Sequence, residues 1–519
     1  MGKCRAQAST GPGVSSGIAA AEQVCGAYSL IVVANRLPAS LVVQSDGKLE
    51  WQPSPGGLVT ALEPVMRASA GAWVGWSGVS GPAPEPFDAD GVRLVPVELS
   101  DQDIELFYEG FSNGTLWPLY HDVIAPPQFH RHWWEAYCLV NERFAQAAAE
   151  QAANGATVWV HDYQLQLVPA LLRQRRPDLR IGFFNHIPFP GYEIFAQLPW
   201  RRQIVEGLLG ADVVGFQRRA DVTNFLRACR RAAGARTSGG IVRVPERSDG
   251  SDRDGSDDVA ADQRQGRRVS AAAFPISIDS ASFGELARRE DVRARSRQIR
   301  GELGNPQVLL LAVDRLDYTK GILHRLRAYE ELLDEGRLAP PESVFVQVAA
   351  PSRERVREYQ SLREDVEAVV GRINGEHATL GQPAVHYLRH SYPREEMAAL
   401  YMAADVMIVT PLRDGMNLVA KEYVACRQDE LGALVLSEFT GAADELGSAF
   451  LVNPHDIEQT KDAIMRAVQV TPGQARRRMR SLRKRVRIFD VDRWATDFLR
   501  ALDSPAPDLH GVAAPPQDR

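Results

Sequence analysis

Short runs of apolar residues recur along the chain, and most of them are followed by a stretch with helical periodicity. The runs have the length of buried strands. They lie at 28–36, 157–161, 181–185, 212–216, 308–313, 344–349, 385–388, 405–410 and 433–437. Strands that alternate with helices predict parallel sheets covered by helices on both faces. The pattern therefore predicts an α/β protein.

Three segments interrupt this alternation. Residues 1–26 are small and polar, and residues 503–519 contain four prolines. Residues 247–268 are rich in Asp, Arg, Ser and Gly and have almost no large apolar side chains. Such segments bury too little apolar surface to offset the entropy lost on ordering. We therefore expect disordered tails at both ends and a flexible insertion at 247–268.

The segment Phe274–Asp279 follows the insertion and predicts a crossing between two α/β domains. The domains are then expected at 27–273 and 274–485, with a C-terminal helix at 486–502. An apolar stripe on this Arg-rich helical stretch predicts that one face is buried. The stripe consists of Trp494, Phe498 and Leu499.

Composition narrows the function classes. The 519 residues are 45% hydrophobic and 24% charged, as in ordinary soluble proteins, and the formal net charge of -6 argues against nucleic-acid binding. Five cysteines without a CxxC pair suit a reducing compartment. No apolar run approaches the ~18 residues of a membrane span, and the start lacks the apolar block of a signal peptide. We expect a cytoplasmic protein.

Ligands of parallel α/β sheets bind beyond the carboxyl ends of the strands, so polar residues at those positions are informative. Arg36 ends the first strand and could hold a phosphate through a bidentate pair, although a surface arginine is an equal alternative. Gly56 and Gly57 precede a helix, where adjacent glycines allow backbone N–H groups to approach a phosphate. A simple turn would also explain them.

Aromatic and polar residues follow in the first half. Tyr108 and Trp117 lie in a polar segment with glycines, which suits a platform for a sugar ring. Aromatic residues of the core beneath a loop would look the same. Asp162 and His186 come directly after two successive strands and can hydrogen-bond sugar hydroxyls, or each can be a buried residue with internal partners.

Cations and a glycine turn follow strands in the second half. Arg315 and Lys320 lie in one strand–helix turn, where two cations suit a departing diphosphate. Ion pairs that flank the helix are the alternative. Arg353 ends the next strand. In Pro411–Tyr423 a strand ends, a glycine turn follows and a helix begins. There Asn417 is predicted to cap the helix, and Glu422, about one turn later, could accept both ribose hydroxyls.

Other chemistries lack their sequence signatures. The chain has no phosphate-binding loop of the GxxxxGK type, no HExxH motif and no Gx-Ser-xG elbow. His130 and His132 have no third ligand nearby, so no metal and no cofactor are expected.

The motifs together resemble the trehalose-6-phosphate synthase family over about 31–502. The shared motifs are Asn35-Arg36, Gly56-Gly57-Leu58, Trp76-Ser77-Gly78, Phe111–Pro118, His161-Asp162-Tyr163, His186–Pro190, Arg315–Gly321 and Leu412–Glu422. The resemblance implies a GT-B fold, in which two Rossmann-like domains with parallel sheets face each other across a central cleft. It also implies that the C-terminal helix crosses back to the first domain.

The resemblance further implies a role for each candidate residue. Arg36, Tyr108, Trp117 and Arg353 would hold the acceptor phosphate, and Asp162 the acceptor sugar. Gly57, Arg315 and Lys320 would bind the donor diphosphate. His186, Asp414 and the backbone of Gly415, Met416, Asn417 and Leu418 would hold the donor glucose, and Glu422 the ribose. The catalytic set would be His186, Asp414, Arg315 and Lys320.

The implied reaction moves glucose, with retention, from a nucleotide-glucose to glucose 6-phosphate without a metal. The chain has Ala349-Ala350-Pro351-Ser352-Arg353 where the family commonly has Ala-Pro-Thr-Ser-Arg, so ADP-glucose and UDP-glucose are both kept as donors. We also expect a homo-oligomer, a dimer or tetramer. Two alternatives stay open: an acceptor such as glycerol 3-phosphate, and an inactive regulatory subunit.

Overall fold

A computed structural model describes residues 26–43, 49–53, 59, 62, 65–67, 69–244 and 266–504. Its strands form a ten-stranded sheet, a six-stranded sheet and a separate hairpin of β2 and β3. The strands are β1 (Tyr28–Arg36), β2 (Ala39–Val43), β3 (Leu49–Pro53), β4 (Ala72–Trp76), β5 (Phe87–Ala89), β6 (Val92–Val97), β7 (Ala152–His161), β8 (Arg180–Phe184), β9 (Val213–Phe216), β10 (Arg236–Ser238), β11 (Ile241–Val244), β12 (Arg267–Ala273), β13 (Val308–Arg315), β14 (Ser343–Ala350), β15 (Val385–Leu388), β16 (Val406–Val409), β17 (Ala433–Ser437) and β18 (Phe450–Val452).

Helices connect most of the parallel strands. The α-helices are α1 (Asp101–Asp103), α2 (Trp117–Tyr120), α3 (Arg131–Gln151), α4 (Val168–Arg175), α5 (Tyr192–Phe195), α6 (Arg201–Leu208), α7 (Arg219–Ala233), α8 (Ser280–Leu286), α9 (Glu290–Glu302), α10 (Ile322–Asp334), α11 (Arg357–His377), α12 (Arg394–Ala403), α13 (Leu418–Cys426), α14 (Ile457–Val468), α15 (Pro472–Ile488) and α16 (Val491–Asp503). A π-helix covers Ile104–Leu116, and 3₁₀ turns cover Tyr163–Leu165, Tyr318–Lys320 and Gly441–Asp444.

The first sheet has the order β10-β11-β12-β9-β8-β7-β1-β4-β6-β5. Its seven central strands from β12 to β6 pair in parallel, and antiparallel strands complete both edges. The central strands are buried on both faces, as the apolar runs predict. β7 pairs with β8 from Thr157↔Arg180 to His161↔Phe184, which brings the ends of these two strands together.

The second sheet has the order β15-β14-β13-β16-β17-β18 and is parallel throughout. β13 and β14 pair over eight residues, from Val308↔Ser343 to Arg315↔Ala350. The order reverses at β13, between β14 and β16, and a ligand crevice is expected at such a switch point. Arg315 and the turn before α13 lie beside this point.

The patterns predict the central strands well and the outer strands poorly. β4 and β6 interrupt their apolar residues with Gly75, Arg93 and Pro96, so no continuous run marks them. The predicted insertion 247–268 ends too late, because β12 begins at Arg267 and pairs with β11. Arg267 contributes its backbone to the ladder while its Nη1 donates to the carbonyl of Ala211. Residues 245–265 lie outside the described part.

Near its end the chain has two helices rather than one continuous pattern. α15 ends at Ile488, and Asp490 caps α16 by accepting a hydrogen bond from the amide of Arg493. α16 continues to Asp503, one residue beyond the predicted helix end.

The last helix covers the first sheet. Phe498 stacks on Trp159 of β7, with ring centroids 4.5 Å apart and planes 7° apart, and Trp494 meets Phe184 of β8 edge-on at 5.2 Å. Gly182 and Gly215 leave room for Phe498, because a Cβ on either glycine would lie 2.7 Å from the Phe498 ring. The end of the described chain therefore completes the core of the first half.

Candidate active site

Arg353 brings the two halves of the molecule, one built on the first sheet and the other on the second, into direct contact. It follows β14, its guanidinium carbon lies 3.8 Å from the ring centroid of Trp117, and its Nη2 donates to the Tyr163 hydroxyl at 3.0 Å. Only 4% of the Arg353 side chain is exposed. Trp117 is also buried, so it belongs to the core while presenting a ring face to a cation. The interpretation of Trp117 as a core aromatic residue is therefore confirmed, and its use as a platform for a sugar ring stays a prediction.

A buried carboxylate balances this cation. Asp317 Oδ2 lies 3.2 Å from Arg353 Nη1 and accepts a hydrogen bond from the Tyr359 hydroxyl at 3.1 Å. Burial by itself would raise the pKa of Asp317, but the charges of Arg353, Arg315 and Lys320 lower it to about 2. Arg353 has a φ of 49°, in the left-handed region that few non-glycine residues adopt. The hydrogen bonds and the ion pair hold the guanidinium in place, although the left-handed backbone conformation of Arg353 is itself unfavourable.

Arg315 lies beside the same tryptophan but is exposed. It is the last residue of β13, and its guanidinium carbon is 5.5 Å from the Trp117 ring centroid. Within the described ranges Arg315 makes no ion pair. It is therefore a cation that can meet an incoming anion without first giving up a partner.

Arg36 lies at the end of β1, as predicted. Its guanidinium carbon lies 4.7 Å from the Trp76 ring centroid, and its Nη2 donates to Ser40 Oγ at 3.0 Å. Burial lowers the pKa of Arg36. Gly78, with a φ of 99°, makes room for it, because a Cβ there would lie 2.3 Å from Nη2. Tyr108, in the π-helix, also contacts Trp76, with ring centroids 5.9 Å apart.

Lys320 and Asp414 form an ion pair across two turns of the second half. Lys320 Nζ lies 2.6 Å from Asp414 Oδ2, and Asn417 Nδ2 donates to the same oxygen at 3.2 Å. Burial opposes the charge of Asp414, but Lys320 holds the pKa of this carboxyl below its ordinary value. Arg315 and Lys320 thus differ, because Lys320 already has an acidic partner.

The glycine turn begins α13 as predicted. Asn417 caps the helix by accepting a hydrogen bond from the amide of Ala420 at 3.2 Å. Met416 is buried, and Leu418 is the first residue of α13. Gly415 touches the first half directly, since a Cβ on it would lie 2.2 Å from the carbonyl oxygen of His186.

Glu422 lies one turn into α13. Its Oε2 accepts a hydrogen bond from the Tyr401 hydroxyl at 2.8 Å, and burial raises the pKa of Glu422. Gly57 falls outside the described residues, so its predicted role rests on sequence alone.

Asp162 and His186 lie side by side after β7 and β8. Asp162 Oδ1 accepts a hydrogen bond from the backbone amide of His186 at 3.2 Å, and its φ of 74° lies in the left-handed region. Burial raises the pKa of Asp162 to about 6, against an ordinary value of 3.8. His186 Nε2 lies 3.0 Å from Nδ1 of the fully buried His161.

Further ion pairs join the two halves around these loops. Arg413 Nε lies 3.2 Å from Asp122 Oδ2, and Arg413 Nη2 lies 3.9 Å from Asp221 Oδ1. Arg218 and Asp444 form a bidentate pair at 2.7 and 2.8 Å. The loop that begins α13 is therefore held to the first half by Arg413, and a second ion pair joins the halves at the 3₁₀ turn Gly441–Asp444.

Several residues of the site had not been assigned roles from the sequence. Asp317 stands between Arg315 and Lys320, and Tyr163 and His161 flank Asp162, so position within the motifs could have suggested all three. Tyr359 lies inside a long helix, where the sequence gives no signal of its contact with Arg353.

One group of acids in the described part of the chain is close enough to share an ion. Glu331, Glu335 and Glu458 converge in this way. Lys461 Nζ lies between them, 3.0, 2.5 and 2.7 Å from their carboxylate oxygens, so an ammonium group already balances the cluster. Among the described helices, none is both long and apolar enough to cross a membrane.

Comparison of the sequence with known proteins identifies a family and close relatives. Residues 28–504 match the model of glycosyltransferase family 20. A trehalose-6-phosphate synthase from Mycolicibacterium gilvum is 57% identical over 504 residues, covering 96% of this chain and 98% of that protein. A trehalose-6-phosphate synthase from Mycobacterium tuberculosis is 56% identical over 493 residues, covering 92% and 96%.

Solved structures agree in fold. An α,α-trehalose-phosphate synthase (UDP-forming) from Burkholderia xenovorans, in complex with glucose-6-phosphate, has a TM-score of 0.81 at 35% identity, covering 92% of this chain and 100% of that one. A protein from E. coli bound with UDP-2-fluoro glucose also has a TM-score of 0.81, at 32% identity, covering 92% and 99%. The chain therefore belongs to glycosyltransferase family 20, the trehalose-6-phosphate synthase family, and is a transferase with a GT-B fold.

Proposed function

We propose that the chain transfers glucose from a nucleotide-glucose to glucose 6-phosphate, with retention, and forms α,α-trehalose 6-phosphate. The observation that carries this proposal is the convergence of two cations of the second sheet on Trp117 and on the residues that follow β7. Arg315 and Arg353 of the second half lie over Trp117 of the first half, beside Asp162 and Tyr163. Two cations next to aromatic rings and a carboxylate suit the binding of two substrates that each carry a sugar and a phosphate group.

The donor is assigned to the second half. Arg315 is free to meet the diphosphate, Lys320 and Asp414 can hold the diphosphate and the glucose hydroxyls, and Glu422 is positioned for the ribose. This half-buried carboxylate already accepts one hydroxyl hydrogen bond, from Tyr401, and its remaining lone pairs can accept the ribose hydroxyls as well. Gly57 is proposed to add a backbone N–H to the diphosphate.

The acceptor is assigned to the first half and to Arg353. Arg36 and Tyr108 both contact Trp76, where they can hold a phosphate together with Trp117 and Arg353. Asp162 then hydrogen-bonds the acceptor sugar. The choice of acceptor is supported by a solved relative that is in complex with glucose-6-phosphate.

The proposed reaction needs little acid–base catalysis by protein side chains. The bond between the donor C1 and the diphosphate oxygen breaks, and the acceptor hydroxyl oxygen bonds to C1 on the same face. The proton of that hydroxyl passes to the departing diphosphate oxygen. Arg315 and Lys320 would neutralise the charge that develops on the diphosphate, so no metal or cofactor is proposed. Closure of the two halves would exclude water.

The donor base is left to experiment. Two structural relatives are described as UDP-forming or bound with a UDP-sugar, while the segment before Arg353 departs from the common family sequence. Rates with UDP-, ADP- and GDP-glucose would decide among them. The homo-oligomeric state and the cytoplasmic location stay predictions.

The decisive experiment measures release of nucleoside diphosphate with glucose 6-phosphate, glucose and glycerol 3-phosphate. Glucose should be a very poor acceptor even at high concentration, because binding of the remote phosphate contributes to closure and alignment. Arg36→Ala should erase much of the difference between the two sugars and leave calorimetric binding of the nucleotide nearly unchanged. Equal use of glucose by the parent would refute the phosphate clamp. Loss of nucleotide binding in Arg36→Ala would instead place Arg36 at the donor.

A further inference from the structure

The contact between His161 and His186 constrains the protons of both rings. His161 Nδ1 lies 3.0 Å from His186 Nε2, a hydrogen-bond distance in which one nitrogen must donate and the other accept. His161 is the last residue of β7 and is fully buried, whereas His186 is half-buried in the loop that touches Gly415.

Both rings are neutral near physiological pH. Burial lowers the pKa of His186 to about 3 and that of His161 well below its ordinary value, with His186 adding to the effect on His161. A neutral imidazole carries one proton, so the shared hydrogen bond couples the two tautomers. Either both rings are protonated on Nδ1, or both are protonated on Nε2.

The surroundings of His161 distinguish these two states. Its Nε2 is buried and has no hydrogen-bond partner within the described ranges. The indole Nε1 groups of Trp159 and Trp494 are likewise buried and unpartnered, and their rings lie 4.8 and 6.5 Å from the His161 ring. A proton on His161 Nε2 would add a third unpaired donor to this place. A lone pair on that nitrogen adds no unpaired donor, and buried N–H groups without a partner are rare in proteins.

We infer that His161 is a positioning residue, which donates from Nδ1 to His186 Nε2 and so fixes His186 as a donor from its own Nδ1. His186 Nδ1 makes no hydrogen bond to any described residue, so it is the atom left for a ligand. The identity of that ligand rests on the proposed function, in which an oxygen of the donor glucose accepts this hydrogen bond. The reverse tautomer would present a bare Nδ1 lone pair, which cannot donate to that oxygen.

The tautomers can be observed without substrate. The full chain labelled with ¹⁵N-histidine is studied by NMR near pH 7, and the two residues are assigned from His161→Phe and His186→Gln variants. The inference expects both rings to show a protonated Nδ1 and an unprotonated Nε2. Protonation of both rings on Nε2, or a positively charged ring at either position, would overturn it.

A matched pair of variants tests the consequence for turnover. In His161→Asn the amide nitrogen lies near the place of Nδ1 and can still donate, whereas His161→Phe keeps a buried ring without a donor. Turnover should fall about 10–100-fold in His161→Phe, as for partners that orient an active-site histidine, and recover largely in His161→Asn. Nucleotide binding should be unchanged in both.

The kinetic and spectroscopic results separate two kinds of failure. Parent-like turnover in His161→Phe, with the fold confirmed by circular dichroism, would overturn the positioning role. If the parent transferred no glucose to any acceptor, the proposed function would fail, while the NMR spectrum would still decide the tautomers.

Discussion

Two cations that the sequence treats alike have different environments in the structure. Arg315 is exposed and lacks an ion pair among the described residues, whereas the buried Lys320 pairs with Asp414, whose side chain is 15% exposed. For Lys320 the structure confirms an ion pair, as the structural interpretation expects, and its role at the donor diphosphate stays a prediction. Substitutions at the two positions should therefore differ in their effect on stability.

We expect Arg315→Ala to lower turnover about 100–1000-fold, the usual cost of removing one preorganised charge, without changing the melting temperature. Lys320→Ala should lower both, since it removes the ion-pair partner of the Asp414 carboxylate, which is only 15% exposed, at a cost on the order of 3 kcal/mol. Steady-state rates and thermal unfolding measure the two effects. The double variant Lys320→Ala/Asp414→Asn should regain stability but not turnover. A double variant as unstable as Lys320→Ala would contradict this account.

Asp162 gives a prediction about pH. Its pKa is about 6 in the folded chain and 3.8 ordinarily, so the folded state binds a proton more tightly and ionisation of Asp162 above pH 6 destabilises the fold. Asp162→Asn should therefore raise the melting temperature at pH 7.5, with a gain that shrinks as the pH falls through 6. Activity should drop, because the acceptor sugar loses its carboxylate.

Asp178→Asn is the matched control with the opposite sign. A hydrogen bond from Arg176 and the amide of Gly155 lower the pKa of Asp178 to about 2, so its charge favours the folded state above the ordinary pKa. That variant should melt at a lower temperature at pH 7.5. If both variants changed the melting temperature equally and in the same direction, burial of the Asp162 charge could not be the cause of the change.

At the scale of elements, the loop that begins α13 meets the loop after β8 with no space between them. A Cβ at Gly415 would lie 2.2 Å from the His186 carbonyl oxygen, which is closer than real contacts allow. Gly415→Ala should therefore displace both loops and lower turnover at least about 100-fold, since small misplacements of reacting groups are costly. Gly447→Ala is the control, because a Cβ there meets nothing within 4 Å. Similar rates for the two variants would contradict the close contact.

The elements also show what a sequence can predict. The central strands follow from apolar runs because both faces of a parallel sheet are buried. β12 escapes this rule, since Arg267, Arg268 and small residues form it, and its place depends on pairing with β9 and β11. Because β12 begins at Arg267, a deletion in the segment between β11 and β12 should end at 265 rather than 268. Such a deletion, joined by a short Gly-Ser link, should keep fold and activity, as assays of soluble protein would show.

The site was predictable where polar residues directly follow strands. Arg36, Asp162, Arg315 and Arg353 all occupy such positions, and the structure brings the last three close to Trp117 or Tyr163. The contact of Tyr359 with Arg353 was not predictable, because it depends on how α11 lies against the end of β14. Which candidate already has a partner, as Lys320 does, is likewise a property of the folded chain.

At the scale of the whole molecule, we expect α16 to link the two halves into one folding unit, because it follows the second half in the chain and packs on the first sheet. Phe498 is fully buried against Trp159, and replacing it by alanine should cost about 3–5 kcal/mol. Leu499→Ala, on the same helix but half-buried, should cost less. Denaturant unfolding followed by tryptophan fluorescence and by circular dichroism should give coincident transitions in the parent. Separate transitions for the two signals would show that the halves unfold independently.

The late position of Phe498 in the chain also affects how the protein is made. The groove over β8 and β9, left open by Gly182 and Gly215, emerges from the ribosome long before the helix that fills it. At ~5–20 residues per second, the roughly 280 residues from Phe216 to Phe498 take about 15–60 seconds to synthesise. During that interval the nascent first half carries an uncovered aromatic surface. A fragment that stops before α16 should consequently need a chaperone to stay in solution, whereas the chain extended through Asp503 should not.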